Sequence, residues 1–558
     1  MAMKIPKSGF RTMFKEGTQY FEGVEETVLR NIDAVTELYE KLRTSFGPNG
    51  TNKMIINHLE KLFVTKDAAT MLREMEVQHP AAKLVVMASE MQEQQVGDNT
   101  NYVVLLSTSL LIEAAKLFEY GLSMTQIVDG FDKCLKVVEE VLPGLSVKTI
   151  TDLSDVNEVR KAVRASITSK QYENEDFIAD LVSQACVQTM PKNFKNFNVD
   201  NIRIVKILGS SVSDSTVVNG MVFHRKCEGE IIQADKCRVA VFACAFDVMH
   251  TETKGTILMN NATDLLSFSK EEEILVEKQV KELADAGVNV IVAGGKFGDL
   301  HVHFMNKYKI MGVRLMSKFD LRRLCRQFQA QAQARICCPP IESLGTCDKA
   351  ETKEIGAATV VVFSKDSEAS NLATIVVRAA SRPKMEDIER AIDDAINTYK
   401  ALSKDARLLA GAGASEICLA RAIRAKAAEA ATIDRENKLG KIEHYTYENY
   451  ATAFECIPKQ FVDNLGLNPV EILAKLYTAH EEGKQNTGIN VFNGEFMDAV
   501  EENIFDPLHG KLSAIRLATE AVLKILQIDQ IIMAKRAGGP KVKGPQPQDD
   551  DDDFGGMA

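Results

Sequence analysis

The sequence predicts a multidomain protein of mixed α and α/β class, in which helical material at both ends of the chain encloses an α/β insert. Three observations predict it. A chain of 558 residues exceeds what one hydrophobic core serves, so about three or four domains are expected. Apolar residues recur at helical spacing near the N-terminus and again beyond Val377. Between Val218 and Ile375 short apolar runs alternate with helical patterns, the order of a parallel sheet covered by helices.

Val24, Val28, Ile32, Val35, Leu38, Leu42 and Phe46 recur three or four residues apart and predict an amphipathic helix, stopped by Gly47-Pro48. Residues 53–57 and 62–65 read as short strands about a polar turn, and Asp67 then stands where a helix begins. A plain N-cap explains that aspartate. Helical patterns over 81–91 and 102–120 flank Val96-Gly97-Asp98-Asn99-Thr100-Asn101, and helix continues almost to Leu142, before Pro143-Gly144. Residues 156–167 and 176–190 are helical, with Ser169-Lys170 between them, and 202–208 alternates as a strand. In the insert, 239–245, 288–293 and 311–315 read as strands, and 270–286, 298–308 and 318–330 as helices. Residues 251–269 form a longer connection than compact α/β units use, which points to function. Helical texture resumes at 385–402 and lasts to Arg536. Residues 538–558, with the run Asp549 to Asp553, lack the apolar surface to order themselves.

A net charge of −11 and a pI near 5.5 argue against a nucleic-acid binder, which needs a basic stripe to displace counterions. The 11 cysteines are scattered without a C-x-x-C pair, so neither a disulfide framework nor a zinc site is indicated, and a reducing compartment fits. Lys4, Lys7, Arg11 and Lys15 have no apolar core behind them, and the longest apolar stretch, 102–112, stops at Glu113. A soluble, cytoplasmic protein is expected. His301-Val302-His303 would not share a helix face and has no third ligand nearby, so it reads as structural. Lys318, Arg322, Arg323 and Arg326 make the helix at 318–330 basic on one side.

In the loop at 96–101, Gly97 permits an unusual turn, Asp98 offers a hard oxygen ligand and Thr100 offers a hydroxyl to cap the next helix. Those features suit Mg²⁺ and phosphate at a helix N-terminus. An ordinary helix-loop-helix explains them as well. Gly47 and Gly50, in Gly47-Pro48-Asn49-Gly50, can turn backbone N–H groups toward a phosphate, with Pro48 stiffening the approach. Lys66, in Thr65-Lys66-Asp67-Ala68-Ala69-Thr70, adds a point charge. Gly411-Ala412-Gly413 permits close approach of a ligand to backbone, or simply leads into a helix.

Together these motifs resemble the signature set of the chaperonin family, and more narrowly the subunits of the eukaryotic cytosolic chaperonin, over about residues 14–540. Ile528 to Lys535, followed by Ala537-Gly538-Gly539-Pro540, narrows the resemblance to one branch of those subunits. The resemblance implies a helical equatorial domain from 1–147 and 409–537, and a mixed intermediate domain from 148–217 and 376–408. It further implies an α/β apical domain at 218–375, with a helical lid protrusion at about 251–269 and a disordered tail at 538–558. It assigns ATP and Mg²⁺, with Asp98 as the metal ligand and Asp67 and Asp394 positioning or deprotonating water. Ser45, Gly47, Pro48, Lys66, Gly97, Asn99, Thr100 and Asn101 would contact the nucleotide, and Lys170 would sense its terminal phosphate. Gly411, Ala412, Gly413, Asn490 and Asp506 would meet ribose and base. Read without the family, Asp394 is a solvated acidic face, Lys170 a surface charge and Asp506 an Asp-Pro turn.

The implied activity is ATP-driven folding of non-native proteins such as actin and tubulin, with seven paralogous subunits completing each of two stacked rings, and with neither nucleic acid nor membrane as partner. The implied client groove borders the basic helix at 318–330. Asn99 stands where the family has a second glycine, at a cost of about 1 kcal/mol if its φ is positive. Ala410 and Ala412 replace a common Pro and Gly. An ATP-binding structural subunit with little or no hydrolysis is therefore the alternative. A small-molecule ATP-using enzyme is the rival from another class, and it would need a compact second substrate pocket.

Overall fold

Helices from both ends of the chain share one core, because each presents an apolar stripe too wide to leave in water. The computed structural model describes residues 19–22, 24–248, 262–356, 358–365, 372–437 and 443–533. Val24–Leu42, Pro80–Gln95, Thr100–Glu119 and Met124–Val141 pack with Glu443–Ala453 and Leu508–Leu526 around a single cluster that includes Val35, Leu106, Phe131, Tyr450 and Val522. The strands Gln19–Glu22 and Gln530–Met533 pair antiparallel and tie the two ends together. Thr100–Glu119 is long and apolar enough to cross a membrane. Its apolar residues instead lie at the centre of this core, with Val103 to Leu106 wholly buried.

A second core joins the helices Val156–Thr168, Glu175–Gln188 and Arg382–Lys404 to a three-stranded sheet of Ile202–Leu208, Ala373–Ala379 and Thr216–Val218. The expected boundaries at 217/218 and 375/376 fall inside strands of this sheet. Ala373–Ala379 pairs along its whole length with Ile202–Leu208 and over three residues with Thr216–Val218.

The insert is a seven-stranded sheet in the order Gly220–Phe223, Ala358–Ser364, Gly345–Ile355, Gln233–Phe242, Val290–Ala293, Met311–Arg314, Cys227–Glu228. The expected parallel sheet needs correction. Only Gln233–Phe242, Val290–Ala293 and Met311–Arg314 run parallel; the other neighbours pair antiparallel. A short turn joins Gly345–Ile355 to Ala358–Ser364, and such a hairpin can only be antiparallel. Val290–Ala293 is apolar throughout because both its faces are covered. Val290 and Val292 enter one cluster, while Ile291 and Ala293 enter the other. Of the expected protrusion at 251–269, only the backbone of 262–269 lies among the described residues, where it begins the helix Ala262–Asp285. The tail at 538–558 lies outside them.

Between the first and second cores runs a sheet of Phe505–Pro507, Arg407–Ala410 and Lys148–Thr149. Alternation along its middle strand sends Leu408 into the second core and Leu409 into the first. The expected limits at 147/148 and 408/409 fall at this shared sheet. The candidate site lies beside it.

Candidate functional site

A cleft of about 320 Å³ opens between the first and second cores, large enough for a nucleotide-sized ligand. Ser45, Gly47, Pro48, Lys66, Asp98, Asn99, Thr100 and Asn101 line one part of it, with Lys170 opposite. Ala412, Gly413, Asn490 and Asp506 line another. Asp67 and Asp394 sit behind Lys170.

Lys170 follows the C-terminal end of Val156–Thr168, its N–H bonded to the Ile167 carbonyl at 3.0 Å. Carbonyl dipoles at such an end favour a cation. Its Nζ lies 3.1 Å from Asp67 Oδ1 and also pairs with Asp394 Oδ2. Asp67 divides its two oxygens between two tasks. Oδ2 caps the helix Ala68–Glu74, accepting from Thr70 N at 3.0 Å and Thr70 Oγ1 at 2.7 Å. Oδ1 accepts from Thr100 Oγ1 at 3.0 Å and from Lys170. The plain cap and the site residue are thus one carboxylate. Asp393 is exposed, whereas Asp394, one position on in the same helix, is buried. The helical turn alone decides which of the two meets Lys170.

Asp98 ends the turn that Gly97 begins, at φ +85°. Its Oδ1 accepts from Asn99 N at 2.6 Å, and its carbonyl accepts from Gln92 Nε2 at 3.0 Å. Thr398, on the helix that carries Asp394, donates to Asp98 Oδ2 at 3.4 Å. Burial would raise the Asp67 carboxyl, but the Lys170 charge and the Thr70 hydrogen bonds outweigh it and hold the group below the usual carboxylate range. Burial also works on Asp98 and Asp394, and there it prevails over Lys170: both are raised, Asp394 strongly, with Asp98 and Asp67 adding repulsion. Burial would lower the Lys170 ammonium, yet Asp394 and Asp67 hold it well up. One ammonium does not balance the three carboxylates, and Asp394 is left shorter than Asp98.

Asn99 occupies the left-handed region at φ 66°, the conformation expected for its missing glycine. Thr100 does not cap the next helix with its hydroxyl, as expected, because Asn99 takes the N-cap position and Thr100 is already helical. The Thr100 hydroxyl is spent on Asp67 instead. Asn101 ties the loop to its surroundings, accepting from Ala68 N at 2.7 Å and donating to the Lys66 carbonyl at 3.0 Å and Ser45 Oγ at 3.5 Å. Lys66 Nζ donates to the Pro48 carbonyl at 3.1 Å, which closes the glycine turn over the cleft. Gly47 has φ +77°, and a Cβ there would lie 2.8 Å from the Phe461 ring.

Gly97 and Gly411, expected at the ligand, are outside the cleft lining. A side chain on Gly97 would strike Asn397, and one on Gly411 would lie 3.0 Å from Ile504, so both glycines serve the packing of their own loops. Ala412 stands at φ 55°, and its methyl points to Gly488, where a Cβ would lie 2.7 Å away. Asn490 turns its own loop, its Oδ1 accepting from Phe492 N at 2.9 Å. Asp506 Oδ2 accepts from Lys511 Nζ at 2.7 Å.

A sequence profile of the TCP-1/cpn60 chaperonin family matches residues 38–536. The chain belongs to that family. It is a chaperonin subunit serving protein folding. T-complex protein 1 subunit theta of Caenorhabditis briggsae is 56% identical to it over 559 residues, covering 100% of both chains. The human protein of the same name is 48% identical over 99% of this chain and 100% of its own. The segment at 528–540 that points to one branch of the chaperonin subunits thus has its counterpart in chains called theta.

Sequence reasoning missed several chaperonin residues at this cleft. Glu416 lines it with Lys511 beneath, and Thr398 and Gln171 steady neighbouring aspartates. Gln171 donates to Asp387 of the Asp394 helix. The spacing of Thr398 from Asp394 was a usable signal, since residues four apart share a helix face. Lys511 gave none, because a lysine in a helix reads as solvated. The pair His301 and His303 is structural as expected: His301 is buried with its ring 4.9 Å from that of Phe246, while His303 is exposed. On Lys318–Phe328, Asp320 pairs with Arg203 of the second core, and Met316 and Phe319 beside it are exposed.

Proposed function

We propose that this chain binds and hydrolyses ATP as one subunit of a cytoplasmic, hetero-oligomeric double ring that encloses non-native proteins. In that reading seven paralogous subunits complete each ring, and the clients include actin and tubulin. The first core is the equatorial domain, the second the intermediate domain and the seven-stranded insert the apical domain. One observation carries it: Lys170 and Asp394 come from the second core and Asp67 and Asp98 from the first; Lys170 and Asp98 line one cleft, and Lys170 pairs with both Asp67 and Asp394 behind its wall. Closure of the second core onto the first therefore assembles the hydrolytic groups, so chemistry and movement are one event.

The donor set suits a magnesium nucleotide. Two buried carboxylates, Asp67 and Asp394, share one ammonium beside the half-buried Asp98, which leaves the site short of positive charge. No cluster of three or more His, Cys, Asp and Glu among the described residues encloses a metal by itself. Mg²⁺ commonly takes one or two carboxylates and completes its shell with phosphate and water, and Asp98 is the carboxylate that would hold it. When bound, it would bridge phosphate oxygens and offset their charge. Asp67 stays ionised and orients the attacking water through Oδ1. Asp394, with its raised carboxyl, takes the proton from that water, the task for which a tuned carboxylate is effective. Gly47 and the Thr100 helix N-terminus present N–H groups to phosphate. Asn99 and Ala412 both hold the left-handed turn their loops require, which favours turnover over the passive alternative.

Single-turnover hydrolysis on assembled particles carrying Asp394→Ala in this subunit tests the proposal. A fall in the phosphate burst by this subunit's share is expected, and an unchanged burst would leave it passive. Native mass of a stable monomer or dimer would exclude the ring.

A further inference from the structure

Far from the cleft, the seven-stranded insert holds two cysteines in register. Cys237, on Gln233–Phe242, and Cys347, on Gly345–Ile355, are Cα partners across an antiparallel pair. Directly opposed residues point to the same face, and both side chains enter the cluster that includes Val239 and Phe363, Cys237 at 1% and Cys347 at 3% exposure. The Arg238 carbonyl accepts from Asn289 N at 3.1 Å, on the side of Val290–Ala293. Backbone groups alternate sides along a strand, so those of Cys237 face Gly345–Ile355, and the cysteines form a hydrogen-bonded pair with Cα atoms about 5.5 Å apart. A disulfide spans Cα separations of about 4.4–6.8 Å.

The thiols are held inward. Cys237 Sγ donates to the Ala234 carbonyl at 3.1 Å, and Cys347 Sγ to the carbonyls of Lys349 and Ser364, both at 3.2 Å. Contact between the two thiols lowers Cys237 and raises Cys347, with burial adding to the rise. Cys237 is therefore the sulfur that ionises first, and Cys347 keeps its proton. Beside the pair, Lys236 is exposed at φ 48°, and the pairing register passes over it from Cys237 to Asp235. The ladder is interrupted next to the cysteines, which is where the strands can open.

We propose that Cys237 and Cys347 are a reversible dithiol, which glutathione disulfide or another small disulfide oxidises to a cross-strand bond that staples the insert. The Cys237 thiolate attacks one sulfur of glutathione disulfide, whose S–S bond breaks as one glutathione thiolate leaves. Cys347 loses its proton and attacks the Cys237 sulfur of the mixed disulfide, and the second glutathione leaves. Two protein thiols are oxidised, and one glutathione disulfide is reduced to two glutathiones, which take up the two protons.

The test incubates the assembled particle with glutathione disulfide for as long as a parallel sample needs to exchange the amides of Gln233–Phe242 with deuterium, so that the strand has opened to the reagent. Free thiols are then blocked with N-ethylmaleimide, and peptides are mapped without reduction. A peptide joining Cys237 to Cys347 is expected in more than about half of the chains and should disappear in dithiothreitol. Amide exchange through Gly345–Ile355 should slow by at least about tenfold in the oxidised particle. Cys237→Ser should form no such bond and show no slowing; if it slows equally, the bond is not the cause and the proposal falls. It falls also if both cysteines are blocked separately after that incubation, if glutathione stays attached to either, or if Cys347 joins Cys227 or Cys325, which pack on the same cluster. Should Cys237→Ser fail to assemble, the peptide map of the native particle decides alone.

Discussion

Two buried lysines face carboxylates at the two ends of one cleft, and they differ in what they join. Lys511 is bound to Ser415, Glu416 and Asp506. Those residues and their helices pack with the first core. Lys170 reaches from the second core to Asp67 in the first, and it shares that task with Asp394 of its own core. One cluster is a clamp within a rigid body, the other a joint between bodies. Their charge differs in step. Two carboxylates face Lys511, and burial cannot overcome them, so the ammonium stays well up. Lys170 pairs with Asp67 and Asp394 and has Asp98 nearby, and burial raises Asp394 by more than the lysine lowers it. A rigid clamp can be nearly balanced, whereas a joint that must accept a charged ligand keeps an imbalance for the ligand to relieve.

Function separates the two most sharply. Asp394→Ala is expected to slow the chemical step of this subunit by about 10²- to 10³-fold, the scale of a lost general base. The affinity of the subunit for ATP should move less than threefold. Lys511→Met, remote from the Lys170 cluster, should do the converse, loosening the helix that carries it while the single-turnover rate at saturating ATP stays within a few-fold. If both variants fail in the same assay, the cleft has one function and the comparison collapses.

Stability separates them next. Lys511→Met leaves Glu416 buried without its cation, a loss of about 3–5 kcal/mol. Lys170→Met leaves its aspartates at a seam that can part and admit water, so a cost of about 1 kcal/mol or less is expected. Hydrogen exchange on the particle reads this directly. The first variant should raise exchange through Leu508–Leu526, and the second only along the faces of the cleft.

The two aspartates on Lys170 should then respond oppositely to pH in nucleotide-free particles. Asp394 is raised by burial, so its folded-state contribution is complete below the ordinary carboxylate value of about 4 and is lost as pH rises through its folded value. Asp67 is lowered, so its contribution is present above about 4 and is lost as pH falls through its folded value. Asp394→Asn fixes the neutral form and is expected to raise the melting temperature at neutral pH by about 2 °C, or roughly 1 kcal/mol. Asp67→Asn should lower it by at least as much. Melting curves across the acid range would show the first effect shrinking toward pH 4. A destabilised Asp394→Asn particle at neutral pH would mean that the Lys170 pair outweighs burial.

The joint was far more legible in the sequence than the clamp. Gly97-Asp98, Lys66-Asp67 and Gly47-Pro48 announce themselves because turns need particular residues at fixed spacing, and the family resemblance then brings distant turns to one place. Lys170 and Asp394 carried no local signal, and the contact between them is a product of tertiary packing. The clamp stayed hidden because a lysine within a helical pattern reads as a solvated charge, and burial is not written in spacing. The fold shows the same division. Helical periodicity located the end helices, whereas the antiparallel strands at 345–364 were passed over. The expectation of a uniform parallel sheet followed from that omission. The expected domain limits fall within or beside strands that two cores share, as Leu408 and Leu409 show.

The smallest effect concerns the one place where the joint departs from its family. Asn99 holds φ 66° without a side-chain cap bond, and its Nδ2 would lie 3.4 Å from a Cβ on Gly510. Asn99→Gly relieves a left-handed strain of about 1 kcal/mol, but glycine gives back roughly 0.5–1 kcal/mol through the freedom it adds to the unfolded chain. The two nearly cancel, so the melting temperature should move by less than about 2 °C. Because the turn already has the geometry a glycine would give it, the single-turnover rate should stay within about twofold. A tenfold rise would show instead that the Asn99 side chain, wedged toward the helix bearing Lys511, restrains the joint through the clamp, and the two clusters would then be a single coupled device.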